Sequence, residues 1–167
     1  MIQLPSEEKI IVFTRRHPIT LILKMAAIAT LLLISIAVII TLAQSFSLFN
    51  SLTLLLALIV LLILFYAIFA FIYFINWHLD VWIITDKRVI DIEQISLFNS
   101  EFSEFMLAKI QDVSVDKKGF LANIFDYGDV HIQTAGMARV FVFKQVPNPQ
   151  AIKKSLMEEI IKNKTAA

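Results

Sequence analysis

Cysteine is absent from the chain, which removes disulfides, thiolate metal sites and a cysteine nucleophile from consideration. Charge is scarce. Only 17% of the 167 residues are Asp, Glu, Lys or Arg, against about a quarter in an ordinary soluble domain. The scarcity is local: no charged residue occurs from Met25 to Leu79, and charges return after Asp80. The formal net charge is +1, which supplies neither a basic field to attract nucleic acid nor an acidic tail. Nucleic acid is therefore not an expected partner. The signatures GxGxxG, P-loop and GxSxG are missing as well. His17, His78 and His131 lie far apart, with no metal-ligand spacing. No catalytic residue, metal ligand or cofactor is expected, and the chain does not read as an enzyme.

What is present is apolar: 58% of residues are hydrophobic and the mean hydropathy is +0.76. A spanning helix needs about 20 largely apolar residues to cross a bilayer core about 30 Å thick. Two segments meet that demand, at 18–44 and 52–77, joined by a short turn at 45–51. A cleavable signal peptide would pass from a short basic region to one short apolar core. Here the first run is long and a second follows at once, so both read as anchors. Lys and Arg place the turn outside and the termini inside: the turn has none, residues 1–17 carry Lys9, Arg15 and Arg16, and Lys87 and Arg88 follow the second span. The expected location is the cell membrane, multi-pass, with the N-terminal segment 1–17 and the soluble domain 78–167 both cytoplasmic.

Arg15, Arg16, Lys24, Trp77 and Trp82 sit where interfacial anchors are expected; Lys24 can snorkel its amine to the surface. No ionisable group lies in the interior of either span, whereas proton relays and ion pathways usually leave one there. The spans are read as an anchor and an oligomerisation surface, with Ala26, Ala29 and Ser35 small enough for close helix approach.

The soluble half changes to short β-type runs. Val81–Thr85 is β-branched and aromatic, and Asp86-Lys87 suits a tight turn. In Arg88–Glu93, Ile90 and Ile92 share one face and Asp91 and Glu93 the other, the period of a half-buried strand. Further strands are expected at 96–98, 101–107, 111–115, 129–134 and 139–144, with Val113, Val115, Val130 and Ile132 facing inward. Ala135-Gly136 fits a hairpin turn. Asp126 and Asp129 read as turn formers. A final helix begins at Asn148-Pro149, a capping residue followed by proline at the first helical position. Ile152, Leu156 and Ile160 form its stripe, widened by Met157 and Ile161. That stripe packs on the sheets or, alternatively, lies on a membrane surface with Lys153 and Lys154 toward headgroups.

Trp82-Ile83-Ile84-Thr85-Asp86-Lys87-Arg88-Val89-Ile90-Asp91 resembles the opening of the bacterial pleckstrin-homology-like domain of the YdbS/YdbT type. Lys109–Val115, Gly119-Phe120-Leu121, Ile124–Val130, Thr134-Ala135-Gly136 and Val146–Pro149 continue the resemblance, and Arg15-Arg16-His17-Pro18 before the first span fits it too. The resemblance implies a membrane α-helical hairpin plus a mostly-β, α+β soluble domain. That domain would be a PH-like, two-sheet antiparallel barrel or sandwich closed by a C-terminal helix. Phe120–Phe125 would be a short helical insert whose apolar residues plug one end of the sheets. Asp86-Lys87-Arg88 would be a charged hairpin tip close to the membrane.

The expected role is a PH-like binding or assembly module, mediating protein–protein or self-association at the cytoplasmic face. The alternative is an anionic-lipid-sensing domain using Lys87, Arg88, Lys117 and Lys118; an accessory subunit of a transporter or enzyme is a third reading. The partners implied are membrane lipids and a second copy of the chain or another membrane protein.

Overall fold

The structure is a computed structural model that describes residues 8–46, 52–96, 99–135 and 140–165. The chain divides into two compact units: Pro18–Ile75, and Met1–His17 together with Asn76–Ala167. The first unit is made of α1 (Pro18–Phe46) and most of α2 (Leu52–Leu79). At 29 and 28 residues and a rise of 1.5 Å per residue, each helix is about 42–44 Å long. Both are long and apolar enough to cross a membrane, with windows of mean hydropathy 2.7 and 3.2 and none of those window residues buried. Ser35 Oγ meets Tyr66 Oη at 3.0 Å, so the small residue of α1 receives a polar tip from α2. Thr30, Ser35 and Thr41 each return their hydroxyl proton to the carbonyl four residues back, which pairs each of these donors within its own helix. Residues 47–51, the rest of the expected turn, lie outside the described residues.

The second unit holds two antiparallel sheets and a helix. The first sheet has the order β1-β2-β3-β4, with β1 Ile10–Arg15, β2 Val81–Thr85, β3 Arg88–Ser96 and β4 Asn99–Met106. A 3-10 turn at Leu107–Lys109 leads into the second sheet, β5-β6-β7: β5 Ile110–Asp116, β6 Tyr127–Thr134 and β7 Val140–Pro147. The sheets do not close into a barrel. Helix α3 (Phe120–Ile124) sits between β5 and β6, and α4 (Pro149–Thr165) ends the chain.

The core lies between the sheets and under α4. Trp82, Ile84, Val89, Phe105 and Leu107 face Ile110, Val113, Val130, Ile132, Phe143 and Val146, and Ile152, Leu156 and Ile160 cap them. The every-four stripe of α4 therefore packs on protein. Met157 and Ile161, expected to widen it, are exposed. Asn148 starts α4 through its carbonyl, which accepts the N–H of Ala151 at 3.0 Å and of Ile152 at 3.2 Å. Gly128 is required by space: a Cβ there would stand 2.6 Å from the Asp116 carbonyl oxygen.

Four expectations change. Residues 10–15 form a strand of the first sheet, whereas the sequence pattern sets 1–17 apart as a segment of its own; Arg15 pairs with Val81 and Ile10 with Thr85. In β3 the expected polar face is absent: Asp91, paired with Trp82 as Val89 is with Ile84, points to the core, while Ile90 on the opposite face is 1% exposed. Trp82 is a core residue and not an interfacial anchor. It is 1% exposed, and its ring stacks on Phe143 with centroids 5.5 Å apart, because the parity of β2 turns it between the sheets. The apolar residues of α3 are no plug: of that helix only Ala122 is buried. The 97–98 part of one strand candidate, and Gly136 of the expected hairpin turn, lie outside the described residues.

Candidate functional site

Both chain exits toward the apolar helices leave the domain at one end. Arg16, two residues before Pro18, pairs with Asp80, the residue after Leu79, at 2.5 Å. Asp80 is 0% exposed, and its Oδ1 accepts the Gln94 N–H at 2.7 Å. Burial holds its carboxyl above the usual range, opposed by that N–H and by Arg16. Beside this pair, His17 donates its backbone N–H to the Gln145 carbonyl at 2.7 Å, and its ring stacks on Tyr127 at 5.7 Å. Burial lowers the His17 pKa, while Asp126 acts to raise it.

The backbone here is built to present these groups. Asp126, Gln145 and Asn148 all have positive φ, at 50°, 55° and 46°, a region that non-glycine residues occupy sparingly. The β6–β7 register shifts between Gly128 and Val130. Asp129 steadies that bulge by accepting the Gln145 N–H at 2.7 Å, which leaves the Gln145 carbonyl for His17. Asp126 and Asp129 are thus turn and bulge formers, as their spacing around Tyr127-Gly128 implied.

Next to the junction, Asp91 is 8% exposed and faces the core side of β3. Its pKa is raised from 3.8 to about 6, chiefly by burial and then by the nearby charge of Glu93. The Trp82 N–H opposite acts the other way, but neither Trp82 Nε1 nor Asp91 Oδ1 has a hydrogen bond of good geometry. The Asp91 contribution to folding is therefore fully present below the unfolded value near 4 and is lost as pH rises through about 6. Over that interval the loss is on the order of 2–3 kcal/mol. We expect Asp91→Asn to flatten this part of the profile and to raise the melting temperature at pH 7.5 relative to wild type. Thermal unfolding of the full chain in detergent between pH 4 and 8 checks it, and parallel profiles for the two proteins would refute the assignment.

The predicted lipid-contact residues are placed apart. Lys87 and Arg88 lie at the far end of β2 from Val81, about 15 Å along the strand, so this turn is remote from the residue that joins α2. Lys87 is exposed. The Arg88 guanidinium is held by Glu8 at 2.7 Å and Glu104 at 2.8 Å, and the bond to Arg88 holds the Glu8 carboxyl below its usual range. Thr85 closes the turn by accepting the Arg88 N–H at 2.9 Å, and its hydroxyl lies 2.7 Å from the Glu8 carboxylate. Clefts of about 450 and 460 Å3 open on either side of Arg88. The first lies where the sheets fail to close, between β4 and the Thr134-Ala135 end of β6. Lys117 is paired with Asp126, and Lys118 with Asp116 at 2.6 Å.

Of the predicted anchors, Arg16 is in the junction and Trp77 in the last turn of α2. Arg15 lies with its guanidinium 5.3 Å over the Phe13 ring, and Lys24 is exposed on α1. Among the described residues, no three His, Asp or Glu side chains gather as a metal site would need.

The two sheets with a closing helix define a PH-like domain. The bacterial PH domain family matches residues 18–162, and the chain belongs to that family. No curated protein sequence matches it. Among solved structures, the chain is similar to a DUF1696 family protein with a pleckstrin-homology domain from Shewanella loihica PV-4. That match has 17% identity, covers 48% of this chain and 70% of the other, and has a TM-score of 0.40. A pleckstrin homology domain from Shewanella amazonensis SB2B is similar at 18% identity, covering 49% of this chain and 75% of the other, with a TM-score of 0.39.

Proposed function

We propose that the chain is a membrane-anchored PH-like module that binds another protein chain, a second copy or another membrane protein, at the cytoplasmic face of the cell membrane. In this reading it is not an enzyme. The observation that carries it is β4. This eight-residue strand is the outer strand of its sheet, and among the described residues no strand pairs with its free edge. It exposes Phe102 and Met106 along its length. A free edge of that length can accept an added strand through main-chain hydrogen bonds, with exposed side chains setting the specificity. The two apolar helices supply the anchor.

A photo-reactive phenylalanine at Phe102 in the full chain, irradiated in native membranes, tests the reading. A discrete adduct, at twice the chain mass or at that of one recurring membrane protein, is expected. Uncross-linked monomer alone would overturn it.

Anionic-lipid sensing through Lys87, Arg88, Lys117 and Lys118 has less support, because Arg88, Lys117 and Lys118 each already hold an acidic partner.

A further inference from the structure

Helix α3 spends its apolar residues on solvent. Phe120 is 77% exposed and Ile124 56%, and Leu121 and Phe125 are also exposed. Four large apolar side chains thus crowd one six-residue stretch of the domain. Concentrated exposed patches of this kind mark contact with a protein or a membrane. Gly119 throws the segment outward: its φ is +94°, and no atom lies within 4 Å of where its Cβ would be.

Position decides between the two occupants. Phe125 is followed by Asp126 and Tyr127, and Tyr127 stacks on His17. His17 is peptide-bonded to Pro18, the first residue of α1. The α3 segment therefore lies at the end of the domain from which the chain passes into the first apolar helix. Asp80, paired with Arg16, marks the other junction at the same end. The β3–β4 hairpin also overruns that end: Val81 pairs with Ile92, and β3 continues to Ser96 past exposed Ile95. At the base of α3, Lys117 and Lys118 are held by Asp126 and Asp116, so the apolar side chains carry the contact.

We infer that Phe120, Leu121, Ile124 and Phe125 form a wedge that enters the interfacial layer of the membrane holding the chain. The wedge fixes the PH-like domain against the lipid surface by its α3 end. This inference rests on reading α1 and α2 as membrane spans. It places the lipid contact on apolar side chains at the junction end of the domain, with Lys87 and Arg88 at the opposite end of β2.

Because the chain has no cysteine, single labelling sites can be introduced cleanly. The full chain is reconstituted in liposomes of neutral and anionic phospholipid, with an environment-sensitive fluorophore on Phe120→Cys, Lys87→Cys or Phe65→Cys. Quenchers are attached to the lipid chains at shallow or deep positions. Unchanged near-ultraviolet circular dichroism certifies that each labelled chain keeps its folded domain. The Phe65 label, in α2, reports on the anchor alone and is expected to lose most of its emission to the deep quencher. The Phe120 label is expected to lose most of its emission to the shallow quencher, and the Lys87 label to keep it.

A quenched Phe65 label with an unquenched Phe120 label overturns the wedge and leaves the anchor standing. The wedge is overturned equally if a photo-reactive group at Phe120 captures a second copy of the chain in place of lipid. An unquenched Phe65 label overturns the anchor reading itself.

Discussion

Trp82→Ala is expected to unfold the PH-like domain while leaving the chain in the membrane. The indole is 1% exposed, stacks on Phe143 at 25° between planes, and lies among Ile84, Val89 and Phe105 of its own sheet. Truncating a large buried aromatic costs about 3–5 kcal/mol, a large share of the roughly 5–15 kcal/mol that holds a domain folded. The near-ultraviolet dichroism of the full chain in detergent should melt many degrees lower than wild type. Membrane partitioning after carbonate extraction should not change. Trp82→Phe keeps most of the stacking area, and Nε1 has no well-formed hydrogen bond to lose, so its effect should be much smaller. An interfacial anchor would give the opposite pattern, with unaltered melting and weakened retention in the membrane. That pattern would remove Trp82 from the core.

Trp82 shows where sequence reading succeeds on this chain and where it stops. Long uncharged runs identify α1 and α2, because few other arrangements can accommodate so many consecutive apolar residues. The alternation of Val113 with Asp112, and of Val130 and Ile132 with His131, marks β5 and β6 and gives their faces correctly. It fails at β3, where Ile90 and Val89 are both buried and Asp91 faces inward beside Trp82 and Lys144. Apolar parity then carries no sign, since a strand covered on both sides has no polar face to read. The β1 strand was illegible for another reason. Ile10–Arg15 pairs with a strand some seventy residues later in the chain, and a short run beside a long hydrophobic segment has no turn signal to announce it. The exposed state of α3 could not be read either, because Phe-Leu-Ala-Asn-Ile-Phe fits an internal plug and a surface wedge equally well until β6 is in place. The pairing of Arg16 with Asp80 joins residues that lie on opposite sides of the helical hairpin, and no local pattern links them.

That pairing gives the second large effect. Arg16→Met is expected to destabilise the domain by about 3–5 kcal/mol, the cost of leaving one partner of a buried ion pair uncompensated. The two partners are not equivalent. Asp80 is wholly buried, and without Arg16 its charge keeps the Gln94 N–H and the charge of Lys144. The Arg16 side chain is 20% exposed and can turn its guanidinium toward water when Asp80 is neutral. Asp80→Asn should therefore cost less than Arg16→Met, and the double variant should recover part of the Arg16→Met loss in a mutant cycle.

Acid should help the Arg16→Met protein. Burial already raises the Asp80 pKa, and removing the cation raises it further. The penalty is present above that folded value and is relieved as pH falls through it and the carboxyl takes up its proton. Melting of wild type and the three variants at pH 5 and pH 8 would show the gap narrowing in acid. A small, pH-independent loss for Arg16→Met would reduce the pair to an ordinary surface bridge of about 0–1 kcal/mol.

The consequence reaches beyond stability, since Arg16 and Asp80 sit at the two points where the domain meets the apolar helices. Released from Asp80, β1 is an edge strand held by its ladder to β2, by the His17–Gln145 bond and, just before its first residue, by the Glu8–Arg88 and Lys9–Asp86 bonds. Limited proteolysis within Ile10–Arg15 should then rise before the rest of the domain opens, with β1 fraying from its sheet while β2–β4 remain paired.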